Sequence, residues 1–136
     1  MTTLALDTSA AVPLLLSSHT AHQLVRRQLG DRTPVLTTHS LAETYSVLTR
    51  LPNDARVSAQ DAVQLIESRF APAIAPTAEA AQQLPRILAT LAVSGGAVYD
   101  ALVGLAAAAS DVALGTRDGR ALGTYAAVGA RCEIFA

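Results

Sequence analysis

Short apolar runs alternating with helical stretches predict an α/β fold: a three-layer α/β/α sandwich around a small parallel sheet. Three observations carry that reading. Strand-like segments are separated by roughly ten residues or more, long enough for helical crossovers between parallel strands. No Asn-Gly or Asp-Gly pair joins two apolar runs, so the hairpin signal of an antiparallel sheet is missing. A chain of 136 residues, 51% hydrophobic, is also long enough to bury one core without metal or disulfide staples, and a single domain over 1–136 is expected.

The elements follow in order. Residues 3–6 read as the first strand, closed by Asp7. Residues 9–16, with Pro13 inside, and residues 19–29 read as two helices. The run Gly30-Asp31-Arg32-Thr33-Pro34 punctuates, and 35–37 is a short buried strand. Leu41, Tyr45 and Leu48 recur at helical spacing within a third helix over 40–50. Leu51-Pro52-Asn53-Asp54 is a turn, after which 58–70 is amphipathic, with Val63, Ile66 and Phe70 on one face. Residues 73–75 make a brief strand between Pro72 and Pro76. Thr77 opens a helix that runs to about Val93 despite Pro85. Gly95-Gly96 precedes a helix over 99–110, and a strand over 112–115, a short helix over 119–125 and a strand over 133–135 complete the chain. Sites in open parallel sheets form beyond the carboxyl ends of the strands. Asp7 and Asp118 both follow such ends.

Composition narrows the function classes. The net charge of −1 provides no global basic field of the kind that marks a stand-alone nucleic-acid binder. It leaves room for an enzyme that holds its substrate through a metal and a few arginines. All ten basic residues are arginine. The single cysteine, Cys132, excludes an internal disulfide and reads as a small core residue of the last strand. The Ala10 to Leu16 run is too short to span a bilayer, so no membrane association and a cytoplasmic location are expected. Mean hydropathy of +0.34 is high for a free-standing monomer of this size. Either the core is rich in alanine or a partner covers apolar surface, and the two are compatible.

Four acids stand at element ends in a chain where charged residues make up only 15%. Each has a structural explanation beside the chemical one. Asp7 would cap the first helix, although Thr8 or Ser9 would serve as well. Glu43 closes a Ser40-Leu41-Ala42-Glu43 capping box. Asp100 suits the dipole in the first turn of its helix, and Asp118 before Gly119 suits a turn. Gathered together, the four carboxylates would repel one another, and a hard divalent cation is the usual remedy. They are expected to converge within coordination reach of one point. His19, His22 and His39 show no metal-ligand spacing and read as surface or polar-core residues.

The same residues carry a family likeness. Leu6-Asp7-Thr8-Ser9, Ser40-Leu41-Ala42-Glu43-Thr44-Tyr45, Tyr99-Asp100-Ala101-Leu102 and Thr116-Arg117-Asp118-Gly119-Arg120-Ala121-Leu122 together resemble the PIN-domain nucleases. Within them, the chain is similar to the VapC toxins of bacterial toxin–antitoxin pairs. The resemblance implies a PIN-like sandwich and an endoribonuclease that uses Mg²⁺ (or Mn²⁺) to hydrolyse RNA, leaving 5′-phosphate and 3′-hydroxyl ends. It further implies catalytic roles for Asp7, Glu43, Asp100 and Asp118, with Asp7, Asp100 and Asp118 nearest the metal. Glu43 would orient or deprotonate the attacking water, and Thr116 would donate a hydrogen bond to a carboxylate. Some PIN nucleases carry a further acid near the last of the four, where this chain has Arg120. Arg117 and Arg120 would steer phosphates, since an arginine fork matches them; their plainer reading is surface solubility or pairing with Asp111 or Asp118.

Rival chemistries fall away. Response-regulator receivers, haloacid-dehalogenase phosphatases and Walker-type P-loops each need a lysine, and this chain has none. The remaining alternative is a catalytically silent PIN-like module that binds RNA or protein. The expected partners are an RNA substrate, a cognate VapB-like antitoxin and a second copy in a homodimer. Candidate contact surfaces lie around Leu14, Leu15, Leu24, Val25 and Tyr45. Asn in place of Asp7 or Asp100 is expected to leave the metal-free fold unchanged or slightly more stable.

Overall fold

The computed structural model describes residues 2–136. Its strands are β1 (Thr3–Leu6), β2 (Thr33–Thr37), β3 (Ala71–Ile74), β4 (Ala113–Thr116) and β5 (Cys132–Ile134). They form one sheet in the order β3-β2-β1-β4-β5, every neighbouring pair parallel. The helices are α1 (Thr8–Leu15), α2 (His22–Leu29), α3 (Thr38–Thr49), α4 (Ala59–Arg69), α5 (Ala78–Gln82), α6 (Leu84–Thr90), α7 (Ala97–Ala109) and α8 (Leu122–Ala127).

Strand pleating sorts the core into two layers. Leu4, Leu6 and Leu36 project from one sheet face onto Ala10, Leu14, Val25, Leu29, Leu48 and Ile66 of α1 to α4. Ala5, Val35 and Leu114 project from the other face onto Val103 and Ala107 of α7 and Tyr125 of α8. Each fully buried leucine contributes about 1.5–3 kcal/mol against its exposed state. Small residues set the closest approaches. A Cβ on Gly115 would lie 2.8 Å from the Phe135 ring and 2.9 Å from Leu6, and one on Gly104 would lie 2.5 Å from Val128. Bulk at Gly115 would therefore press β4 away from its neighbours directly beneath Thr116.

The chain leaves β1 toward β2 and β3 on one side and later returns to place β4 and β5 on the other. That reversal opens a crevice at the carboxyl ends of β1 and β4, the usual ligand position in open parallel sheets. Asp7 follows β1 there and Asp118 follows β4. Because α7 leads into β4 as a crossover helix, it runs back along the sheet, and its first turn carries Asp100 to the same edge.

Several boundaries differ from expectation for local reasons. The helix expected from 77 to about 93 is two helices, α5 and α6, because Pro85 has no N–H to continue the first. The second helix starts at His22, not residue 19. The Ala21 N–H instead donates to His19 Nδ1 at 3.0 Å, and His22 Nδ1 donates to the Pro13 carbonyl at 2.8 Å. Cys132 lies in the last strand as expected, but it is exposed. β5 is an edge strand, paired on one side only. Leu14 and Val25 are also buried, at 4% and 0% exposure, and offer no contact surface. Leu15 and Leu24 pack partly against the same core. Tyr45 is open and lines an apolar groove of about 510 Å³ with Leu41, Val63, Ile66 and Phe70. No helix among the described residues is long and apolar enough to cross a membrane.

Candidate active site

Asp7 is the most constrained side chain at the crevice. It takes the N-cap position of α1, and its carbonyl accepts from the Ala10 and Ala11 N–H groups, but its carboxylate makes no capping bond. Three hydroxyls claim that carboxylate instead. Ser9 Oγ donates to Oδ1 at 2.5 Å, while Thr116 Oγ1 and Tyr125 OH donate to Oδ2 at 2.5 and 2.7 Å. Behind them, the Arg117 N–H donates to Ser9 Oγ and the Asp118 N–H donates to Thr116 Oγ1. The loop after β4 is thus keyed to the end of β1 through one buried carboxylate. Burial, then the neighbouring Asp7 charge, pushes the Tyr125 phenol far above its ordinary range, so it stays a neutral donor.

Thr37, not Ser40, caps α3: its Oγ1 accepts from the Ser40 N–H at 3.0 Å. The capping-box account of Glu43 therefore fails. Glu43 lies well inside the helix, half exposed, on the same face as His39 one turn earlier. His39 Nε2 stands 3.7 Å from Glu43 Oε2, too far for a hydrogen bond, and has no other partner among the described residues.

Asp100 occupies the first turn of α7 and, as expected, suits the helix dipole. Its environment is nonetheless unfavourable to charge. Burial raises its pKa most, followed by Asp118, Asp7 and Glu43; His39 opposes them. Every other acid singled out from the sequence bears on this one. Asp118 does act as a turn residue, its Oδ1 accepting from the Arg120 N–H at 3.0 Å. Among the described residues no donor reaches its Oδ2.

Asp7, Glu43, Asp100 and Asp118 line one cavity of about 100 Å³, with Thr8, Ser9, His39, Tyr99, Val103 and Tyr125. Thr116 sits beneath it, fully buried. No arginine contributes to the lining. Arg117 is exposed at the rim, and the Arg120 side chain, 95% exposed, reaches Asp118 Oδ1 only at 3.4 Å. The expected Asp111 partner of these arginines pairs instead with Arg131 at 3.5 Å. The expectation of tight convergence needs correction. Among the described residues, no three His, Cys, Asp or Glu side chains are gathered closely enough to form a finished cation cage. The acids surround a space rather than meet at a point, as like charges do, and Asp7 is already committed to three hydroxyls.

Among the lining residues, His39, Tyr99 and Tyr125 had no expected role in the site. His39 was legible in principle, since it precedes Glu43 by four residues on one helix. Tyr99 adjoins Asp100, and its ring stacks on His39 with centroids 5.4 Å apart and planes 15° from parallel. No sequence signal pairs these rings, which come from separate helices.

Comparison with known proteins gives one answer. A family profile described as the PIN domain matches residues 4–126. Ribonuclease VapC27 of Mycobacterium tuberculosis is 49% identical over 133 residues, covering 98% of this chain and 97% of that protein. Ribonuclease VapC40 of the same species is 42% identical over 121 residues, covering 88% and 89%. Among solved structures, the chain resembles VapBC2 from Rickettsia felis bound to a promoter DNA fragment, with TM-score 0.67, 17% identity and coverage of 97% and 98%. It also resembles VapC20 of M. tuberculosis, described as a Sarcin-Ricin loop cleaving toxin, with TM-score 0.63, 21% identity and coverage of 93% and 95%. These two structural likenesses establish the shared fold.

Proposed function

The chain belongs to the PIN-domain family and, within it, to the VapC group; from that premise we propose that it is a divalent-metal-dependent endoribonuclease toxin held in check by a VapB-type antitoxin. The observation that carries the reading is the cavity at the sheet's switch point. It is lined by four carboxylates from four separate elements, with His39 as the one basic side chain and no arginine. An all-oxygen acidic donor set suits a hard cation that keeps several of its waters, which is how Mg²⁺ binds. The raised pKa of Asp100, from burial first and its like-charged neighbours next, fits the same reading, because a bound cation would offset both.

We assign Asp7, Asp100 and Asp118 to hold Mg²⁺ or Mn²⁺, which when bound supplies charge neutralisation at the phosphate and a lowered water pKa. The chain's own residues do the rest. Ser9, Thr116 and Tyr125 fix the Asp7 carboxylate in one orientation by donating to both its oxygens. Glu43, half exposed and with no hydrogen-bond donor within reach among the described residues, is placed to orient the attacking water and accept its proton. Arg117 and Arg120 stand outside the acidic lining, where their charges would meet flanking phosphates without neutralising the carboxylates. In-line attack by water on the RNA phosphodiester would leave 5′-phosphate and 3′-hydroxyl ends.

The open apolar groove around Tyr45 supports a protein partner, and the homodimer belongs to the same proposal. Incubation of the purified chain with structured RNA tests the reading. Cleavage should require Mg²⁺ or Mn²⁺, stop with EDTA and stop on addition of the antitoxin. No cleavage in any of these cations would favour the silent binding module.

A further inference from the structure

We propose that Tyr99, backed by His39, is a stacking platform for an unpaired nucleobase of the RNA, next to the phosphate that is cut. The proposal deepens the ribonuclease reading and rests on it. Of the five aromatic residues, Tyr125, Phe135 and Phe70 are in the core at 1%, 1% and 9% exposure, and Tyr45 lines the apolar groove. Tyr99 is 57% exposed, the most open of the large hydrophobic side chains. Neither the core nor the groove accounts for it. It stands at the mouth of the acidic cavity, where the His39 imidazole lies nearly parallel to it at 5.4 Å.

Charge supplies the second argument. The cavity lining carries four carboxylates and no arginine, in a chain of net charge −1. With a divalent cation bound, the charge around the cut phosphate is offset, but the lining offers no arginine to hold the strand on either side of it, and the rim has only Arg117 and Arg120. An uncharged attraction beside the cavity would add to the hold on the strand, and aromatic stacking on a splayed base is a means common to proteins that bind single-stranded RNA. Larger purine faces should stack more strongly than pyrimidines, so the platform biases the base beside the cut.

Fluorescence anisotropy with labelled RNA oligomers of about twelve nucleotides, all-A or all-U, tests this with Ca²⁺ replacing Mg²⁺ to hold back cleavage. Wild type should bind the A-oligomer more tightly than the U-oligomer. Tyr99→Leu should weaken A-oligomer binding roughly tenfold or more and remove the preference, while Tyr99→Phe keeps both. On total RNA with Mg²⁺, Tyr99→Leu should raise KM and leave kcat near wild type. Unchanged melting of Tyr99→Leu would show that the effect is not a loss of fold. If wild type cleaves RNA but Tyr99→Leu binds both oligomers as wild type does, the platform is wrong and the ribonuclease reading stands. A wild-type chain that cleaves no RNA overturns the ribonuclease reading and the platform with it.

Discussion

Asp7 and Asp100 look alike in sequence, each an acid at the start of a helix, yet their surroundings predict opposite responses to the same substitution. Asp7 is 6% exposed and accepts from three hydroxyls. An Asn amide nitrogen cannot accept, so Asp7→Asn leaves at least one buried donor without its partner. We predict a loss of about 1–3 kcal/mol of stability along with cleavage, which revises the expectation that both Asn variants leave the fold intact. Asp100 is raised by burial and then by its like-charged neighbours. A carboxyl whose folded pKa is raised binds its proton more tightly folded than unfolded. Its charge therefore costs stability above the ordinary carboxylate range, and that cost fades as pH falls. Metal-free Asp100→Asn should melt at or above the wild-type temperature near neutral pH, with the gap closing by about pH 3. Thermal melts of both variants in EDTA check the pair. An unfolded Asp100→Asn would mean that the residue serves chiefly as a helix-dipole group.

Elements were legible where pattern and chemistry coincided. The apolar runs ending in Asp7 and in Thr116 gave β1 and β4, and with them the sheet edge that bears the site. Pro85 is the one local signal for the split of α5 from α6. The capping box at Ser40 misled because Thr37, at the strand end, had the better geometry to cap. Of the Asp7 hydroxyl cluster only the Thr116 hydrogen bond was expected, from the family resemblance; Tyr125 lies 118 positions away and only folding brings it in. The exposed edge β5 likewise depends on a contact that spacing does not show. Arg32 grips Glu133 through Nη1 and Nη2 at 2.8 and 2.9 Å, and Gln28 donates to Glu133 and to the Ile134 carbonyl. The Arg32 hydrogen bonds, helped by Gln28, hold the Glu133 pKa below its usual range. A depressed folded pKa contributes stability above the unfolded carboxylate pKa, and that stability is lost as pH falls through the folded value. Both partners are partly exposed, so screening keeps the effect small: Glu133→Gln should cost about 1 kcal/mol near neutral pH. Urea unfolding at that pH and at successively lower pH, where the gap between wild type and variant should narrow as Glu133 takes up its proton, measures it.

At the scale of the whole molecule, two surface features stand apart. The acidic cavity lies at the switch point between β1 and β4, and the apolar groove lies over α3, α4 and β3. Each draws residues from several elements, so a ligand at one reads the fold rather than a peptide segment. The parallel sheet makes this possible, because its strands deliver Asp7 and Asp118 to one edge while α7 delivers Asp100. The central claim is that this edge cuts RNA with the four acids acting together. The most direct measurement is the sequencing of RNA 5′ ends after total RNA is treated in Mg²⁺ with wild type, Glu43→Gln and Asp100→Asn. The account predicts discrete new 5′-phosphate ends from wild type and none from either variant. The same ends appearing with Asp100→Asn, or wild-type ends that persist in EDTA, would contradict it.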